Sequence, residues 1–91
     1  MSRTSLTLPF SAARLRTWRE RAGLTQQQLA DKCGLSRFQI SRWETGEAKP
    51  EPASLAPLVR GLAGALRGQI GGKSSFELDD LLDWTVVRSR D

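Results

Sequence analysis

Ninety-one residues make one domain with one small core, and 38% apolar against 26% charged residues, with three Trp and three Phe, mark a folded chain rather than a disordered one. The chain has no His and a single Cys, Cys33, so the commonest general base, the commonest metal ligand, a zinc cluster and an internal disulfide are all missing. Fourteen Lys and Arg against ten Asp and Glu give a net charge of +4, split as +5 over residues 1–50 and −1 over residues 51–91, so the first half is suited to a polyanion.

No Gly-rich phosphate loop, secretory signal or apolar run of bilayer length (~20 residues) is found. The expectation is a cytoplasmic protein without enzymatic activity, cofactor or metal.

Residues 1–10 carry Pro9 and no helical period and read as an arm, with Leu6, Leu8 and Phe10 alternating. Ser11 caps a predicted helix reaching about Ala22. Leu15, Trp18 and Ala22 share one face, and Gly23 closes the helix in a left-handed conformation. Thr25 and Gln28 form a capping box that opens a second helix, whose face carries Leu29 and Cys33 and which Gly34 ends. Ser36 and Gln39 form another box, and Ile40 and Trp43 are the apolar face of a third helix stopped at Thr45-Gly46.

Leu55, Leu58, Val59, Leu62 and Leu66 then make a long helical stripe. Pro57 fits its first turn if Ser54 is the cap, whereas a start nearer Pro52 brings a kink. Gly61 and Gly64 inside this helix point to close packing. Residues 68–75 (GQIGGKSS) read as a linker. Ser74 and Glu77 form a third box ahead of a helix around Phe76–Trp84, and the tail 85–91 is either a short strand or frayed. The predicted fold class is all-α: four to five helices, with a domain over 11–67 and a C-terminal helix and tail over 76–91.

The informative unit is a helix, the turn Gly34-Leu35-Ser36 and a second helix. Ala30 is small where the helices touch, and Gly34 suits a turn needing positive φ. With Ile40 and Trp43 inward, Arg37, Phe38, Ser41 and Arg42 face outward, as a major-groove reading helix requires. Residues 15–66, above all LRTWRERAGLTQQQLADKCGLSRFQISRWETGEAKP, resemble the Xre/Cro family of phage-repressor-type DNA-binding domains.

That resemblance implies a lambda-repressor-like helix-turn-helix bundle and sequence-specific binding of double-stranded DNA. It also implies a homodimer on a palindromic operator. It makes Arg37, Phe38, Ser41 and Arg42 base-contacting. It makes Gln26, Ser36 and Lys49 phosphate-contacting, with Gln26 also able to brace the recognition helix. Arg19 and Glu44 match a structural ion pair. Arg42 suits guanine, and Phe38 either meets a thymine methyl or packs on a neighbour. Trp18, Trp43 and Cys33 are core, and Arg14, Arg16 and Arg21 form a solvated face.

Apolar residues beyond the four-helix core exceed what so small a domain easily buries. Phe76, Leu78, Leu81, Leu82 and Trp84 are therefore expected at a dimer interface. Pairing of the arm (6–10) with the tail (85–88) as strands is a second possibility. The functional expectation is a transcriptional regulator, a repressor and autoregulatory, with RNA polymerase a possible further partner. The alternative is an antitoxin or interaction module whose C-terminal segment binds a toxin or other protein.

Overall fold

Each of the first three helices begins on a hydroxyl that replaces a missing intrahelical acceptor. In the computed structural model, which describes residues 9–67 and 76–83, these are α1 (Ala12–Arg21), α2 (Gln26–Cys33) and α3 (Arg37–Thr45). Ser11 Oγ accepts from the Arg14 amide at 3.1 Å. Thr25 with Gln28 and Ser36 with Gln39 make reciprocal boxes, all four bonds lying between 2.9 and 3.1 Å. At their other ends α1 and α2 finish on the same device. Gly23 (φ 74°) and Gly34 (φ 71°) turn left-handed, and the next amide reaches back five residues: Leu24 to the Arg19 carbonyl at 3.1 Å, Leu35 to Ala30 at 2.9 Å.

The fourth helix, α4 (Pro52–Ala65), begins at Pro52 with Glu51 as its cap, not at Ser54. Pro57 therefore sits inside it, and the exposed Ala53 loses the amide it would otherwise accept. α2 packs on α3 and α4, and α1 packs on α3. Leu15, Leu29, Ala30, Ile40, Trp43, Leu58, Leu62 and Leu66 form the core between them, six of them wholly buried side chains larger than alanine.

The expected helix around Phe76–Trp84 is a single 3-10 turn, Leu78–Leu81. Its carbonyls are taken from outside: Trp18 Nε1 donates to the Asp80 carbonyl at 3.0 Å and the Ser11 amide to that of Leu81 at 2.9 Å. An α-helix would need both acceptors four residues on, so the turn stops and Leu82 is extended. The cap is also different. The Glu77 amide donates to the Asp80 carboxylate at 2.9 Å, while Ser74 lies outside the described residues.

Leu82 pairs with Phe10 in one antiparallel bridge, and the Asp83 amide reaches the Pro9 carbonyl at 2.8 Å. Arm pairing therefore occurs at Leu82, earlier in the chain than the expected partner 85–88, which with residues 1–8, 68–75 and Trp84 lies outside the described residues.

These contacts use part of the segment expected at a dimer interface within the single chain. Phe76, Leu81 and Leu82 are 3%, 0% and 2% exposed within the single chain, where they complete its own core. Phe76 stands edge-on to Trp18, ring centroids 5.1 Å apart. Of the described residues assigned to that interface, Leu78 alone keeps appreciable exposure.

Candidate nucleic-acid interface

α3 is fixed from inside by Ile40 (0% exposed) and Trp43 (5%), four and seven residues after its cap Ser36. The same geometry leaves Arg37, Phe38 and Arg42 on the outer face, while Ser41 is half-buried. Phe38 is 68% exposed and is the large apolar side chain left in solvent among the described residues. It is not bare: the Arg42 guanidinium lies over its ring, 5.6 Å from the centroid, across the i, i+4 spacing. Glu47 approaches Arg42 Nε at 3.6 Å. Arg42 is thus pre-positioned between a ring and a carboxylate, a link the residue spacing 38–42 signals and the motif reading did not use.

A groove of about 240 Å³ lies between this helix and the start of α4, lined by Phe38, Arg42, Trp43, Lys49 and Ser54 among others. Lys49 is exposed at its edge, beside the reading helix. Ser36 is exposed too, but its hydroxyl is occupied by the capping box, accepting from the Gln39 amide and lying 3.2 Å from Gln39 Oε1.

The helix is locked at its far end by a polar cluster. Arg19 of α1 grips Glu44 of α3 through two nitrogens, Nε to Oε2 and Nη2 to Oε1 (3.0 Å), while its Nη1 donates to the Leu24 carbonyl at 2.8 Å. The two side chains are only 12% and 4% exposed. The hydrogen bond to Glu44 raises the Arg19 pKa above its ordinary value against the opposing cost of burial, so the guanidinium stays charged. Gln26, first residue of α2, donates to Glu44 Oε1 at 3.1 Å. Its amide ties α2 to the end of α3, so the bracing expectation for Gln26 has a concrete partner.

Among the described residues no group of three His, Cys, Asp or Glu side chains could hold a metal ion. Cys33 is buried between α2 and α4, and desolvation pushes its thiol up to about 11. No described helix is long and apolar enough to cross a membrane.

Residues 12–67 match the family described as Helix-turn-helix domain. The fold is similar to the P22 c2 repressor, solved in complex with a synthetic operator. The TM-score is 0.61 and the sequence identity 28%, over 79% of this chain and 91% of the repressor chain. The sequence is also 43% identical over 51 residues to the Type II methyltransferase M.SsoII of Shigella sonnei, a match spanning 53% of this chain but only 14% of the methyltransferase. With more than half of its length inside the family match and a repressor's fold around it, the chain belongs to the helix-turn-helix domain family of DNA-binding proteins, in its phage-repressor-like form.

Proposed function

We propose that the chain is a transcriptional repressor that binds a palindromic operator as a homodimer, each copy laying α3 in the major groove. The observation that carries this reading is the exposure of Arg37, Phe38 and Arg42 on one face of a helix whose other face is locked by Ile40, Trp43 and Glu44. Arg42 and Arg37 grip guanine edges, and Phe38 packs on a thymine methyl; Ser41 reads a neighbouring edge. Lys49 and Ser36 hold phosphates and fix register, with Gln26 contributing from the start of α2. Two copies read half-sites about 34 Å apart, one turn of the duplex.

The 14% overlap with the methyltransferase supports a shared DNA-binding module and does not extend to methyl transfer. The antitoxin reading is not favoured, because Phe76, Leu81 and Leu82 of the segment that would seize a partner are already packed inside the domain.

The test is selection of bound duplexes from a random pool by the full chain, followed by footprinting of the enriched site. The expected outcome is a two-fold symmetric site with half-sites one helical turn apart. Enrichment of no sequence, or a site untouched by changes at Arg37 and Arg42, rejects the reading.

A further inference from the structure

Phe38 stands on a helix face that otherwise offers hydrogen bonds, and it offers none. The ring is 68% exposed and has neither donor nor acceptor. It also has a fixed neighbour: the Arg42 guanidinium lies over it, 5.6 Å from the ring centroid. Glu47 approaches Arg42 Nε at 3.6 Å, so the guanidinium is restrained by a ring and by a carboxylate. The two side chains, about one helical turn apart, therefore enter a groove as one unit.

A guanidinium that grips guanine O6 and N7 lies in the plane of that base. Whatever covers its face is then at the level of the neighbouring base pair, one step of about 3.4 Å along the strand. The separation of 5.6 Å exceeds that step, which offsets the ring sideways from the guanidinium. An apolar group in that place has one apolar target on a major-groove edge, the methyl on C5 of a pyrimidine. Hydrogen-bonding side chains tell thymine from cytosine because one accepts through O4 and the other donates through N4. A ring of carbon and hydrogen takes part in neither bond. It registers the methyl alone, and that methyl is the same on thymine and on 5-methylcytosine.

We propose that the Phe38–Arg42 pair reads a two-base step, a C5-methylated pyrimidine beside a guanine, and takes the methyl from thymine or from 5-methylcytosine, so that cytosine methylation at this step strengthens binding. This rests on the major-groove reading above and extends it: the methylation state of the duplex becomes part of what is recognised. Burying one methyl against the ring is worth about fourfold in affinity at each half-site.

Duplexes selected from a random pool by the full chain, and by its Phe38→Ala and Arg42→Ala variants, locate the step, because both substitutions are expected to relax preference at the same adjacent positions. Phe38 and Arg42 are exposed, and circular dichroism checks that each variant keeps its helical signal. Titration of labelled duplexes then compares thymine with uracil, and 5-methylcytosine with cytosine, at the pyrimidine of the step. Each comparison changes the methyl and nothing else. For the wild type, each methylated duplex is expected to bind about fourfold more tightly per half-site than its unmethylated match. Phe38→Ala is expected to bind both members of each pair equally, and Phe38→Leu, which keeps an apolar contact, to retain part of the preference. A selected site without a guanine-flanked pyrimidine at the relaxed positions, or one where uracil matches thymine or cytosine matches 5-methylcytosine, overturns the methyl reading and spares operator binding. A methyl preference that survives Phe38→Ala overturns its assignment to the ring. Enrichment of no sequence by the wild type overturns both readings.

Discussion

The α2–turn–α3 unit and the 76–83 segment are held in opposite ways. In the first, the shape is written over a few neighbouring residues. Two capping boxes, the left-handed Gly34 and two inward anchors fix where each helix starts, stops and faces. In the second, almost every constraint comes from the far end of the chain. Trp18, Ser11, Pro9 and Phe10 supply the donors, acceptors and bridge that cut a helix down to one turn. In the reading unit local bonds decide what forms and remote bonds decide how it is oriented, whereas in the 76–83 segment remote bonds decide both. The remote polar anchor of the reading unit is the Arg19–Glu44–Gln26 cluster, and it sits where the exit of α3 must be aimed.

That contrast breaks most visibly at Glu44. Glu44→Ala leaves the buried Arg19 guanidinium without its carboxylate and Gln26 without its acceptor, and is expected to cost about 3–5 kcal/mol of stability. Ser36→Ala, which removes one local cap on an exposed turn, is expected to cost about 1 kcal/mol. Denaturant titration of the two variants measures the ratio. Equal losses show that the remote cluster is no more important than a cap.

The 76–83 segment is tested by Leu81→Ala. The side chain is fully buried, and its truncation is expected to cost about 2–5 kcal/mol. Because Leu81 packs within the single chain, that loss does not depend on protein concentration. A destabilisation that disappears at high concentration instead places Leu81 at an interface between copies.

The same contrast explains what the sequence made legible. The caps at Ser11, Thr25 and Ser36 and the closures at Gly23 and Gly34 are readable because each joins residues no more than five apart. The inward set Leu15, Leu29, Ile40 and Trp43 is readable from the 3.6-residue period. The Arg19–Glu44 pair came from a motif, since nothing local joins residues 25 apart. The fate of Phe76–Leu82 was not readable: an apolar run at helical spacing looks the same whether it covers its own core or a second molecule. Only the contacts to Trp18 and Phe10 decide between these. The helix start at Pro52 was ambiguous for a related reason, because Ser54 and Glu51 both stand before a plausible first turn.

On the outer face of α3, Arg42→Ala is expected to weaken operator binding by about 1–3 kcal/mol and to relax preference at particular base pairs. Phe38→Ala removes the ring under the Arg42 guanidinium and should lower binding less, in the same base pairs. A double-mutant cycle on the selected operator reads the coupling of the two residues. Strictly additive losses show that the ring contributes nothing through Arg42.

Two effects of opposite sign meet where α2 and α4 come closest. A Cβ on Gly61 would overlap the Cys33 sulfur, while the Cys33 Cα and Cβ stand at an ordinary 3.6 Å. Gly61→Ala therefore sets two effects against each other. Helix propensity favours Ala over Gly by about 1 kcal/mol, whereas overpacking a filled core costs about 1–3 kcal/mol. The sulfur has little room to move, since Cys33 is buried and its Sγ already lies 3.8 Å from the Leu58 carbonyl. A net loss of up to about 2 kcal/mol is expected for Gly61→Ala alone. In a Cys33→Ala background the sulfur is gone, the new methyl fills its place, and the same change should stabilise by up to about 1 kcal/mol. The reversal of sign between the two backgrounds, measured by denaturant titration at about pH 7, well below the ordinary thiol value, is the signature of a helix–helix contact set by one atom. That pH keeps the thiol neutral in both folded and unfolded chains. Its raised folded-state value lends stability that is complete below the ordinary thiol value and fades as pH climbs toward about 11. A loss of equal size in both backgrounds means that Gly61 is needed for a reason other than the Cys33 sulfur.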